Sequence, residues 1–107
     1  MTARPTPPLA PIGRFAVTAA HPALPGHFPG RPVVPGVVLL DEALSLIAAA
    51  HPGLHVGGLA RVRFLAPVLP DSAVVVLAAA PAGGTLGFSC RVGAAEVLSG
   101  TLRVAPA

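Results

Sequence analysis

Charge is scarce in this sequence: 10% of its residues are Asp, Glu, Lys or Arg, lysine is absent, and neither tryptophan nor tyrosine occurs. Seven arginines stand against four acids, scattered singly rather than in a run. With so few aromatic rings among them, they lack the basic, base-stacking pattern of a nucleic-acid-binding chain. An acidic protein partner or a phosphate suits them better. The one cysteine, Cys90, excludes an internal disulfide and has no metal-ligand spacing with any of the four histidines. It reads as a core residue of a chain kept in a reducing, cytoplasmic compartment. Nothing implies a metal or redox cofactor.

Long apolar runs are also missing. The stretch from Val33 to Ala50 is interrupted by Pro35, Gly36, Asp41 and Glu42, which argues against a membrane span. Residues 1–13 are proline-rich without an apolar core, so they do not read as a signal peptide and are expected to form a flexible tail ahead of one domain over 14–107. There are no internal repeats. What the chain does have is apolar content, 53% of 107 residues, more than a monomer of this size easily hides. A subunit interface, a lipid-like ligand, or both would account for the excess.

The richest stretch runs from Gly26 to Ala43, GHFPGRPVVPGVVLLDEA. Pro29, Pro32 and Pro35 recur at the polyproline II period of three, which predicts a stiff, extended loop behind His27. Pro35 suits the first position of a helix. Val34 before it offers no side-chain cap, which leaves the N–H groups of Gly36 and its neighbours open to an electronegative ligand atom. The predicted helix over 35–50 is apolar around most of its circumference, the mark of a helix buried on nearly all sides. Asp41, Glu42 and Ser45 are the exceptions. A buried carboxylate needs a partner or a task. Asp41 and Ser45 share a face four residues apart, while Glu42 points toward solvent or an interface.

Strands are predicted over 14–20, 56–67, 72–80, 85–92 and 96–104, with the helix stopped at His51-Pro52-Gly53. In the clearest of them Leu86, Phe88, Cys90 and Val92 alternate with Thr85, Gly87, Ser89 and Arg91. Gly83-Gly84 and Gly93-Ala94-Ala95 supply hairpin turns. One strand, a long helix and a four-stranded meander make an α+β layout in which an antiparallel sheet can wrap the helix; other α+β folds satisfy the pattern as well.

His27, Phe28, Pro29, Gly30, Pro32, Pro35, Gly36, Val37 and Asp41 together resemble the active-site signature of the 3-hydroxyacyl-carrier-protein dehydratases, a hot-dog-fold family, with histidine and carboxylate at positions 27 and 41. The segment from Ala60 to Val68 is similar to that family's next strand. Ser45 stands where many members have glutamine, and Glu42 where many have alanine. The resemblance implies a hot-dog fold, with the sheet wrapped around a central helix in a dimer whose two sites take histidine from one chain and carboxylate from the other.

It also implies a reaction. His27 would take the C2 proton of a 3-hydroxyacyl thioester, held through the Val33 carbonyl; Asp41 would protonate or orient the leaving hydroxyl; the Gly36 N–H would receive the thioester oxygen. Phe28, Pro29, Gly30, Val33 and Val37 would shape the substrate site. The acyl group would arrive on acyl carrier protein, with Arg31, Arg61, Arg63 and Arg103 as candidate contacts, in fatty-acid, polyketide or aryl-polyene type synthesis. The plainer alternatives stay open. His27 alone is a turn residue, Asp41 an arginine partner, and Arg61 and Arg63 a solvated strand face, while His21, His51 and His55 are structural. A hot-dog thioesterase, a coenzyme-A hydratase and a non-catalytic subunit paired with another dehydratase chain, as a heterodimer, are the rival functions.

Overall fold

The computed structural model of the chain describes residues 8–22, 24 and 33–107. Six elements follow in order: β1 (Ala10–Phe15), α1 (Gly36–Ala50), β2 (Leu54–Phe64), β3 (Val74–Ala78), β4 (Thr85–Val92) and β5 (Ala95–Pro106). The strands form one antiparallel sheet in the order β1-β3-β4-β5-β2. Local chemistry explains the tight turns. Gly83 and Gly84 both adopt positive φ, +61° and +79°, between Ala82 and Thr85, and Gly93 (φ +59°) opens the two-residue loop that pairs Val92 with Ala95.

Three expectations are corrected. The first strand lies at Ala10–Phe15 rather than 14–20, so residues 10–13, assigned to the tail, are paired with β3. Pro11 is tolerated because β1 is an edge strand, and the register shifts between Pro11 and Gly13. The meander covers β3, β4 and β5 only; β2 pairs with β5 at the far edge. Residues 65–73 therefore cross three strand spacings to reach β3. They are tied on the way by Val34 N–H to Val68 O (2.8 Å) and Asp71 N–H to Val17 O (2.8 Å). Finally, α1 is buried on one face rather than all round.

That face carries Val38, Leu39, Ala43 and Ile47, which pack over Val74, Val76, Leu86, Phe88, Cys90, Leu98 and Leu102. Each of these sheet residues follows the period of two, and the pairs Val76–Cys90, Cys90–Leu98 and Leu86–Leu102 lie side by side in register. The opposite stripe of the helix, Val37, Asp41, Ser45 and Ala48, is exposed in the single chain, Val37 at 71%. No helix among the described residues is long and apolar enough to cross a membrane.

Candidate active site

The start of α1 is built by backbone rather than by side chains. Pro35 is the N-cap (φ −57°, ψ 140°) and not the first helical residue; its carbonyl accepts the N–H of Val38 at 3.0 Å and of Leu39 at 3.3 Å. Among the described residues no side chain caps the helix. The N–H groups of Gly36 and Val37 point past the helix end with no acceptor among the described residues. Such a pair of donors at the positive end of a helix can take an electronegative atom.

Gly36 has no room for a side chain. A Cβ there would lie 2.6 Å from Cε1 and 2.7 Å from Cδ1 of Phe64, so the phenyl ring at the end of β2 covers the first residue of the helix. Between them opens a groove of about 600 Å³, walled by Val33, Val34, Pro35, Gly36, Val37 and Leu39 on one side and by Phe64, Leu65, Ala66 and Pro67 on the other. Its walls are almost wholly apolar and its polar features are backbone groups, which suits an acyl chain with one polar head. Phe64 is 57% exposed and Leu65 42%, so the groove opens to the surface.

Of the site residues read from the sequence, the structure brings Val33, Gly36 and Val37 together in this groove. Asp41 lies five residues further along α1, about 7.5 Å along the axis. Expected to be buried, it is exposed, because the sheet covers only the Val38–Ala43–Ile47 face. The Ser45 hydroxyl donates to the Asp41 backbone carbonyl at 3.1 Å, leaving the carboxylate free of it. His27, Phe28, Pro29, Gly30, Arg31 and Pro32 lie outside the described residues. Arg61, Arg63 and Arg103 are on the opposite face of the sheet from the groove, as their register with Thr101, Ser99 and Thr85 requires. Phe64, with Leu39, Leu65, Ala66 and Pro67, lines the groove without having been named as a site residue from the sequence. An aromatic at a strand end next to Leu65-Ala66-Pro67 was the available signal.

Cys90 is fully buried beneath the helix. Burial, with a smaller contribution from the Glu96 carboxylate, pushes its thiol from 9.0 up to about 11, so it is an inert core group.

A family model described as ApeI-like, ApeI dehydratase, matches residues 10–101. The chain belongs to the ApeI-like dehydratase family. It is 41% identical over 63 residues to the 3-hydroxyacyl-[acyl-carrier-protein] dehydratase FabZ of Thermus thermophilus, covering 50% of this chain and 44% of that protein. It is 37% identical over 67 residues to the FabZ of Desulforamulus reducens, 55% of this chain and 47% of that one. The chain thus spans about half the length of the curated relatives it matches.

Among solved structures, the dehydratase heterocomplex ApeI:P from Xenorhabdus doucetiae superposes with a TM-score of 0.72 at 18% identity, covering 91% of this chain and 97% of that one. The fluoroacetyl-CoA thioesterase FlK gives 0.68 at 20% identity, 97% and 88%. At those identities the likeness is one of fold, and with the antiparallel sheet and single helix it identifies the hot-dog fold of this ApeI-like chain.

Proposed function

We propose that this chain removes water from a 3-hydroxyacyl thioester carried on acyl carrier protein and releases the 2-enoyl thioester. The observation that carries the proposal is the uncapped start of α1 at Gly36, set in an apolar groove with Asp41 further along the same helix. The thioester oxygen accepts the Gly36 N–H, which stabilises the enolate that forms when C2 loses its proton; a donor so placed contributes about 2.7–4 kcal/mol in the transition state. His27 takes that proton. Asp41 delivers a proton to the departing hydroxyl. Phe28, Pro29, Gly30, Val33 and Val37 shape the site, and Arg31, Arg61, Arg63 and Arg103 are the proposed contacts with the carrier.

Exposure of Asp41 supports a site shared between two subunits. A general acid works poorly when water competes for the leaving group, and in the single chain only half of the helix is covered. The uncovered stripe with Val37, and the free edge of β2 with exposed Leu59, Phe64 and Leu65, are the surfaces a second hot-dog subunit would cover. The partner is a second copy or a related dehydratase chain, the latter supported by the ApeI:P heterocomplex among the structural neighbours.

Product analysis tests the reaction. Incubated with a 3-hydroxyacyl carrier protein, the purified chain is expected to yield the enoyl carrier protein, seen by mass as the loss of one water. Release of free thiol instead would assign a thioesterase. Tight binding of the carrier without turnover, relieved by adding a second dehydratase chain, would assign an accessory subunit.

A further inference from the structure

The two faces of the sheet differ in kind. Leu86, Phe88, Cys90, Leu98 and Leu102 point to the helix, and the alternate residues form an outer face. Register gathers the arginines there. Arg14 lies opposite Val75 and Val75 opposite Arg91; Arg61 is opposite Thr101, Arg63 opposite Ser99, and Arg103 opposite Thr85. Five of the seven arginines thus share one face, all exposed. None has an ion-pair partner among the described residues. The one carboxylate on this face, Glu96, is engaged: its Oε2 accepts the hydroxyl of fully buried Ser89 at 2.5 Å. A shallow groove of about 460 Å³ with Gly87, Ser99 and Thr101 among its lining residues and Leu9 at its rim runs across the same face.

Unpaired like charges collected on one surface repel one another and gain nothing within the chain, so their gathering favours an oppositely charged partner. We propose that the helix-free face of the sheet is a docking surface for an acidic protein. Carboxylates match the fork of each guanidinium, and the Ser and Thr hydroxyls between them add donors. A second copy of this chain would bring five more arginines against the first five.

A nucleic acid fits less well, because the arginines fan out over all five strands, roughly 19 Å from β1 to β2 at ~4.8 Å per strand, instead of following a line. Among the described residues, no aromatic side chain on this face offers a base a stacking surface. A lipid bilayer would meet Gly, Ser and Thr among the arginines, with only Leu9 and the half-buried Val75 and Leu77 to insert. The surface enlarges the arginine set named above for the carrier and adds Arg14 and Arg91, but it does not depend on the chemistry at the Gly36 groove.

The test uses fluorescein-labelled poly-L-glutamate and the full chain, followed by anisotropy. Binding is expected, and it should weaken at least about tenfold between roughly 0.05 and 0.5 M salt. The pairs Arg61→Glu with Arg103→Glu, and Arg14→Glu with Arg91→Glu, should each weaken it about tenfold or more, as reversed charges at a rim do. The corresponding glutamine pairs, gentler on folding, should give a smaller loss in the same order, and circular dichroism confirms that each variant is folded. Glu42→Gln, on the helix side, should change binding less than about twofold. Absent binding, salt-independent binding, or binding insensitive to both pairs would overturn the proposal. Tighter binding to phosphatidylserine vesicles or to a single-stranded oligonucleotide at equal charge would overturn the choice of partner. No thioester is present in the assay, so its outcome is separate from that of the dehydratase proposal.

Discussion

Replacing Gly36 by alanine adds one methyl group at the point where the helix start meets the groove. The added Cβ would stand 2.6, 2.7 and 3.2 Å from Cε1, Cδ1 and Cζ of Phe64, so the ring has to move. It can do so cheaply, being 57% exposed at the end of an edge strand. Displacing a side chain from its rotamer costs about 0.5–1.5 kcal/mol, while alanine in place of a helical glycine returns up to about 1 kcal/mol. The two offset each other, and the melting temperature is expected to change by only a few degrees. Activity should not be spared. If the Gly36 N–H holds the thioester oxygen, moving the opposing wall by about 1 Å misplaces the substrate, and kcat/KM is expected to fall about 10- to 100-fold.

A second substitution separates this from a general loss of fold. With Phe64→Ala in the same chain the methyl meets no ring, and Gly36→Ala should then cost far less than it does alone, a coupling that a double-mutant cycle reads directly. The assay is dehydration of a 3-hydroxyacyl thioester by wild type, both single variants and the double variant, beside thermal unfolding of each. Full activity in Gly36→Ala, or a loss in activity that only tracks unfolding, would refute the reasoning.

Gly100 gives the contrasting case. A Cβ there would meet the Arg61 backbone oxygen at 2.7 Å and Phe88 Cε1 and Cζ at 2.7 and 2.8 Å, and neither backbone nor a 2% exposed ring can yield. Gly100→Ala should destabilise the chain by about 1–3 kcal/mol in urea unfolding. Cys90 makes stability fall in alkali. Its thiol is neutral up to about pH 11 in the folded state and up to about 9.0 when unfolded. The unfolded state therefore loses its proton first, and about 2–3 kcal/mol of stability present below pH 9 is lost between pH 9 and 11. Cys90→Ala should flatten that part of the stability profile. The third test, of product identity, is the mass measurement set out above.

Legibility followed the range of the interactions. Strand β4 was read with its boundaries intact because period-two alternation and the flanking glycine turns are local signals, and the end of α1 at Ala50 came from the His51-Pro52-Gly53 stop. The first strand was misplaced because its partner is β3, with Phe15 paired to Val74 and Ala10 to Ala78 far along the chain, and because Pro11 disguises an edge strand. The apolar sequence of α1 reads the same whether one sheet or a sheet and a partner subunit covers it. Only the packed chain distinguishes the covered Ala43–Ile47 face from the open Val37–Asp41 stripe. The motif pointed to Gly36, but the ring over it belongs to Phe64, twenty-eight positions on, and no local pattern joins the two. Arginines scattered in sequence became one surface through strand order and register.

A site shared between two subunits is the central claim, and subunit mixing measures it most directly. His27→Ala and Asp41→Ala proteins, each inactive alone on a 3-hydroxyacyl carrier protein, are combined under conditions that allow subunits to exchange. In a two-fold dimer with sites built from both chains, half of the dimers become mixed and each carries one intact site, so about a quarter of wild-type activity should return. No return of activity, with exchange verified by mass, would contradict a site divided between His27 of one chain and Asp41 of the other.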